Sequence, residues 1–203
     1  MNRILLIRHG NTDLLREYLC GRTPGISLNQ EGRAQARELS QNLLGRYKFS
    51  AVYSSPLERA METAGFIAGA AGLNVIRNDG VNEIDFGAWT GMRFADLHNL
   101  QEWRDYNGNR ALSSAPGGET LTEVQTRAWK SLHKIALDHI ARDHGSQTVA
   151  IVSHGDVIRA LLILLLGMPL DHILRFEISP ASFTEISLGP AGPVIHAINS
   201  QCY

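Results

Sequence analysis

Cysteine is nearly absent: Cys20 and Cys202 are the only two in 203 residues. Two thiols near opposite ends of the chain build neither a disulfide framework nor a cysteine-rich zinc site, and they fit a reducing compartment. A dominant charge is also missing. Nineteen Lys and Arg stand against twenty Asp and Glu, a formal net charge of -1, which argues against a broad basic face for nucleic acid and is silent about a local basic pocket. Long apolar runs are lacking too. The most apolar stretch, Val157 to Leu170, carries Arg159 and ends in Gly-Met-Pro, so its length suits a core helix and not a membrane span. The first apolar run breaks too early for a secretory signal. No repeat, low-complexity tract or long linker interrupts the chain. The expectation is a cytoplasmic protein folded as a single domain over residues 1–203, large enough to need no metal or disulfide staple.

Apolar strand-like runs alternate with helical patterns, the mark of an α/β fold: a three-layer α/β/α sandwich around a mainly parallel sheet. Ile4 to Ile7 reads as an interior strand, apolar on both faces. A helix is predicted over about 29–47, with Ala36, Leu39 and Leu43 on one stripe. Ser50 to Ser55 is a second strand. The next helix has Ser55 as its expected N-cap, Pro56 in its first position, Glu58 closing a capping box and Gly72 as its stop. A short edge strand follows at 74–79. Residues 79–118 are irregular, with one or two short helices between Phe94 and Tyr106, and read as a cap or insertion over the sheet's C-terminal edge. Thr120 and Glu123 form a second capping box, and the helix behind them runs to about Ala141. The run 147–155 is a third buried strand, followed by a helix from Asp156. A hairpin around Gly189-Pro190 closes the pattern.

Two buried strands end in the same way, in Arg8-His9-Gly10 and in Ser153-His154-Gly155. A third ends in Ser54-Ser55-Pro56, with Arg59 just inside the next helix. Ligands of open α/β sheets bind beyond the carboxyl ends of the strands, so these ends are expected to bring two histidines and two arginines together. Such a cluster is costly without an anion, and a phosphate dianion matches the guanidinium geometry. The arginines favour a neutral imidazole, which is a nucleophile. His9 is then suited to attack phosphorus while the cations hold the equatorial oxygens. Glu83 or Asp85, in the irregular segment, would protonate the leaving oxygen.

The blocks LIRHGNT, SSPLERAMETA, NEIDFGAWTG and VSHGDVIRALL, spanning Leu6 to Leu162, resemble the signature blocks of the histidine phosphatase superfamily, also called phosphoglycerate mutase-like. The resemblance implies that His9 is the phosphorylated nucleophile, that Arg8 and Arg59 bind phosphate, and that His154 donates to the transferring phosphoryl group. It selects Glu83 over Asp85 as proton donor. It puts Asn11 and Thr12 at variable polar positions after the turn, Arg22 at the pocket mouth, Glu119 near the site and Gly155 among the binding residues. The chain departs from the pattern at Leu15, where mutases and many phosphatases carry Asn, and at Thr23-Pro24-Gly25.

The reading favoured on these grounds is a phosphomonoesterase acting on a small phosphorylated metabolite through phosphohistidine, with no cofactor and no metal. A phosphoglycerate mutase-type isomerase is the alternative, followed by a phospho-ligand binder without catalysis. Neither nucleic acid nor membrane is expected as a partner, and oligomeric state is not readable. Trp89 and Trp103 suit either the pocket mouth or the core. His98, His133, His139, His144, His172 and His196 share no spacing and read as ordinary surface or core residues.

Overall fold

The computed structural model describes residues 3–142, 148–189 and 192–201; Cys202, His144 and Pro190 lie outside them. Six strands form one sheet in the order β3-β2-β4-β1-β5-β6. They are β1 (Arg3–Arg8), β2 (Phe49–Ser54), β3 (Val75–Arg77), β4 (Thr148–Ser153), β5 (Phe183–Gly189) and β6 (Gly192–Ser200). The pairings β3–β2, β2–β4 and β4–β1 are parallel, whereas β1–β5 and β5–β6 are antiparallel. The three strands whose ends carry the sequence blocks are thus neighbours. Arg8 stands beside Ser153, and Ser54 beside Val152.

Side chains alternate across the sheet with period two, and each set packs against a different helical layer. Leu5, Ile7, Ala150 and Val152 pack with Ala36-face residues Leu39 and Leu43 and with Ala60, Ala64 and Ile67. These come from α1 (Gln30–Arg46) and α2 (Glu58–Ala71). Leu6, Ile4, Val149 and Ile151 pack with Leu121, Val124, Leu132, Val157 and Leu161. Those belong to α5 (Leu121–Arg142) and α6 (Gly155–Leu165). The result is the expected three-layer α/β/α sandwich, with a mostly parallel sheet.

Between β3 and α5 lie two single 3-10 turns, Asp79–Val81 and Gly87–Trp89, and the short helices α3 (Phe94–Leu97) and α4 (Gln101–Gly108). Trp89, Trp103 and Tyr106 are buried, with their ring centroids 5.5–5.8 Å apart. Both tryptophans therefore belong to the core. None of the helices among the described residues is long and apolar enough to cross a membrane.

Two helix boundaries differ from the sequence expectation. The capping box at Thr120 and Glu123 forms, with the Thr120 hydroxyl and the Glu123 carboxylate each accepting from the other's backbone N–H. Ser55 does not cap α2. Leu57 is the boundary residue, in extended conformation and without a side-chain cap; the Ser55 hydroxyl is bonded to His154 and Asn82 and takes only a 3.5 Å contact from the Leu57 N–H. The apolar stretch to Leu170 is not one helix either. α6 ends at Leu165, and Gly167 takes the left-handed conformation (φ +64) that stops helices.

Candidate active site

The turn after β1 is shaped by close backbone approach. A Cβ on Gly10 would lie 2.6 Å from the Gly32 carbonyl oxygen, and one on Gly32 would lie 2.1 Å from that of Asn11. Glycine at both positions lets the turn rest on the first turn of α1. The His9 N–H donates to the Ser153 carbonyl, and the Gly10 N–H to the Thr63 hydroxyl on α2. The imidazole that ends β1 is thereby held from β4 and α2 together.

His9 Nδ1 lies 2.8 Å from the Gly10 carbonyl, which only accepts, so Nδ1 carries the proton. Nε2 is left as the lone-pair nitrogen, and Arg59 Nε donates to it at 3.3 Å. Burial, then Arg59 and Arg8, hold the His9 pKa well below the usual imidazole value. The ring is therefore neutral, with its nucleophilic nitrogen facing a guanidinium.

His154 follows β4 as the N-terminal boundary residue of α6 and is fully buried, its ring centroid 5.2 Å from that of His9. The Ser55 hydroxyl donates to Asn82 Oδ1 at 3.2 Å, so at 2.8 Å it accepts from His154 Nε2. His154 Nδ1 is consequently the bare nitrogen, 3.6 Å from Glu83 Oε2. Burial first, then Arg59, His9 and Arg8, keep this ring neutral as well. Glu83 Oε1 accepts from the Ile84 N–H at 2.9 Å. Burial and the Asp156 carboxylate push the Glu83 pKa up to about 7.

Three buried nitrogens around this group have no hydrogen-bond partner: Arg8 Nε, Arg59 Nη1 and His154 Nδ1. The remaining guanidinium contacts are to backbone carbonyls, Arg8 to Ile178 and Arg59 to Gly21. Two buried cations with donors left over are costly unless an anion accepts from them. The cavity they border, about 290 Å³, is also lined by Thr12, Leu15, Arg16, Cys20, Phe86, Phe94, Gly155, Asp156 and Arg159. Its size suits a small ligand. Among the described residues no three His, Cys, Asp or Glu side chains are grouped to hold a metal ion.

The structure thus brings Arg8, His9, Arg59, Glu83, His154, Thr12 and Gly155 together. Three other residues expected to bind substrate are engaged elsewhere. Asn11 serves the turn: its Nδ2 donates to Glu31, its Oδ1 accepts from the Thr12 N–H, and its own N–H goes to Gln35. Arg22 donates to the Glu83 carbonyl and to Glu119, and Glu119 also accepts from Arg127 and the Asp85 N–H. Neither Arg22 nor Glu119 lines the cavity. Asp85, the rival acid, is 43% exposed in its side chain and caps the Gly87 N–H.

Sequence reasoning missed four charged residues. Asp156 and Arg159 line the cavity and pair with each other at 2.8 Å. Their i, i+3 spacing in the first turn of α6 was a usable signal. Arg16 borders the mouth, with non-glycine backbone at φ +72. Arg127 sits eight residues beyond Glu119 with no local motif to mark it.

A family model described as the histidine phosphatase superfamily (branch 1) matches residues 4–201. Phosphoserine phosphatase 1 of Hydrogenobacter thermophilus is 32% identical, over 100% of this chain and 94% of its own. A 2,3-bisphosphoglycerate-dependent phosphoglycerate mutase of Mesorhizobium japonicum is 29% identical, over 98% and 93%. Among solved structures, a phosphoserine phosphatase of Entamoeba histolytica in complex with 3-phosphoglyceric acid superposes with a TM-score of 0.86 at 29% identity, covering 99% of this chain and 98% of that one. With the match running through every strand of the sheet, this chain belongs to the histidine phosphatase superfamily.

Proposed function

We propose that this protein is a metal-independent phosphomonoesterase that works through a phosphohistidine on His9. The observation that carries the reading is the set of unpartnered buried nitrogens, Arg8 Nε, Arg59 Nη1 and His154 Nδ1, around the lone-pair nitrogen of His9. A phosphate dianion supplies acceptors to the two guanidinium nitrogens and displaces Arg59 from His9 Nε2, while the bare His154 Nδ1 is left to accept from the protonated Glu83 carboxyl group. That nitrogen then attacks phosphorus in line, the N–P bond forms, and the ester P–O bond breaks. Glu83, protonated below about pH 7, gives its proton to the leaving oxygen. The Glu83 carboxylate next takes a proton from water, the water oxygen attacks phosphorus, and Nε2 leaves. Inorganic phosphate is released and both groups return to their starting states. The Gly10 carbonyl on Nδ1 steadies the imidazolium-like charge of the phosphorylated ring.

The substrate is a small phosphorylated metabolite, in keeping with a cavity of about 290 Å³ and with the substrates named for relatives. Residues 79–118 act as a cap on a single domain, because Glu83, Phe86 and Phe94 from that segment wall the cavity. The mutase alternative has a named relative behind it. It needs further cations for a substrate that binds in two orientations; beyond Arg8 and Arg59 the cavity has Arg159, already paired with Asp156, and Arg16 at its mouth, and the arginines of the cap add none. Arg93 stacks on Tyr18, Arg104 bonds Gln101, and Arg110 lies on Tyr106 near Asp156; none lines the cavity. Phosphate release from a panel of phosphomonoesters, compared with His9→Ala, tests the reading. Loss of activity on the order of a thousandfold in the variant is expected, and undiminished release would refute it.

A further inference from the structure

The Glu83–Ile84 peptide group is held at both ends. Its carbonyl accepts from Arg22 Nε at 2.8 Å and from Arg127 Nη2 at 3.0 Å. Its N–H donates to Glu83 Oε1. A peptide group is planar, so fixing its oxygen fixes the direction of its N–H. The two guanidinium groups therefore determine where the Ile84 N–H points, and that N–H determines where the Glu83 carboxyl group sits. With Oε1 bound in this way, Oε2 is the oxygen left facing His154 and the cavity.

The guanidinium groups are themselves held by Glu119. Its carboxylate accepts from Arg22 Nη2, from Arg127 Nε and Nη2, and from the Asp85 N–H. Arg127 Nη1 completes the grip on the carbonyls of Gly80 and Asn82. The segment around Glu83 makes no strand ladder, so these charged bonds take the place of secondary structure there. Two cations on one carbonyl also polarise the peptide and strengthen its N–H as a donor.

We propose that Arg127, with Glu119 and Arg22, is a positioning device for the proton donor, acting on the Glu83 carboxyl group through the Glu83–Ile84 peptide. The inference rests on the reading of Glu83 as general acid. It assigns Arg22 and Glu119 to orientation of that acid and not to contact with substrate.

The experiment compares an alkyl phosphate with p-nitrophenyl phosphate, whose leaving group needs little protonation. Glu119→Gln, Arg127→Lys and Arg22→Gln are each measured alone and on top of Glu83→Gln. In a wild-type background the alkyl-to-aryl ratio of kcat/KM is expected to fall about tenfold or more, with Arg127→Lys the mildest. In the Glu83→Gln background the same changes should move that ratio by less than about threefold, because the group they orient is gone. Equal losses on both substrates, or undiminished losses on top of Glu83→Gln, would overturn the positioning role. Arg22 is one-third exposed, so Arg22→Gln decides the matter if removal of the more buried partners prevents folding. A Glu83→Gln variant with no preference for the aryl ester would instead remove the general-acid reading, and this inference with it.

Discussion

Arg59 Nε donates to the lone-pair nitrogen of His9, 3.3 Å away. One guanidinium thus covers the proposed nucleophilic nitrogen at rest, depresses its pKa, and has Nη1 free for an incoming anion. Arg59→Gln removes both the charge and the planar fork that do all three at once. We expect kcat/KM to fall on the order of a hundredfold. Because Arg59 lowers the His9 pKa, its removal raises that pKa, and the acid limb of the rate profile should move to higher pH. A variant with an unmoved limb would separate Arg59 from the nucleophile.

Glu83 must be protonated to act as an acid, and burial with Asp156 puts its pKa at about 7. The rate on alkyl phosphates should therefore decline as pH rises through about 7. Glu83→Gln should abolish that decline while lowering the rate below it. A steady-state pH series on both proteins checks this. A decline that persists unchanged in Glu83→Gln would assign it to another group.

The same shift has a cost in stability. A carboxyl group whose folded pKa lies above its unfolded value stabilises the fold below the unfolded pKa, near 4.5, and loses that contribution as pH rises through about 7. Glu83→Gln should therefore be more stable than the wild type at pH 8, by on the order of 3 kcal/mol at most. The difference should shrink toward pH 5. Urea unfolding at the two pH values reads it directly, and a gain that grows toward low pH would contradict the assignment.

In the proposed mechanism charge neutralisation at the cavity comes from the Arg8 and Arg59 guanidinium groups, with no metal ion. Prolonged treatment with EDTA should leave phosphate release unchanged, and vanadate, which takes up a five-coordinate geometry, should inhibit. Activity lost to the chelator and restored by a divalent ion would require a different mechanism.

Much of this site was legible because it is written at strand ends. The runs Ile4 to Ile7 and Val149 to Val152 read as interior strands apolar on both faces, and a cation or imidazole directly after such a run lies at the strand's carboxyl end. Pairing of β1 with β4 and of β4 with β2 then joins Arg8, His154 and Ser55. What was not legible depends on contacts between segments far apart in sequence. The Ser55 hydroxyl was a good local cap, but His154, 99 residues away, holds it. In the sequence, the family resemblance alone places Arg22 and Glu119 at the pocket. Only the fold reveals that both lie behind Glu83, facing Arg127. Asn11 likewise had a free local use, in the turn on α1.

The segment 79–118, proposed as a cap, bears on phosphatase against mutase. With Arg93, Arg104 and Arg110 engaged away from the cavity and Leu15 on its wall, water is expected to take the phosphoryl group. A coupled mutase assay primed with 2,3-bisphosphoglycerate should read far below phosphate release from the same preparation. The reverse ratio would make the enzyme a mutase while leaving the His9 chemistry in place.

The most direct measurement is the phosphoenzyme itself. Rapid quenching of the protein with a labelled phosphomonoester, without acid, followed by peptide mapping, should place an acid-labile, base-stable phosphoryl group on His9. The label should be absent in His9→Ala. A label on any other residue, or turnover with no trapped intermediate in a Glu83→Gln background where its breakdown is slowed, would contradict the account.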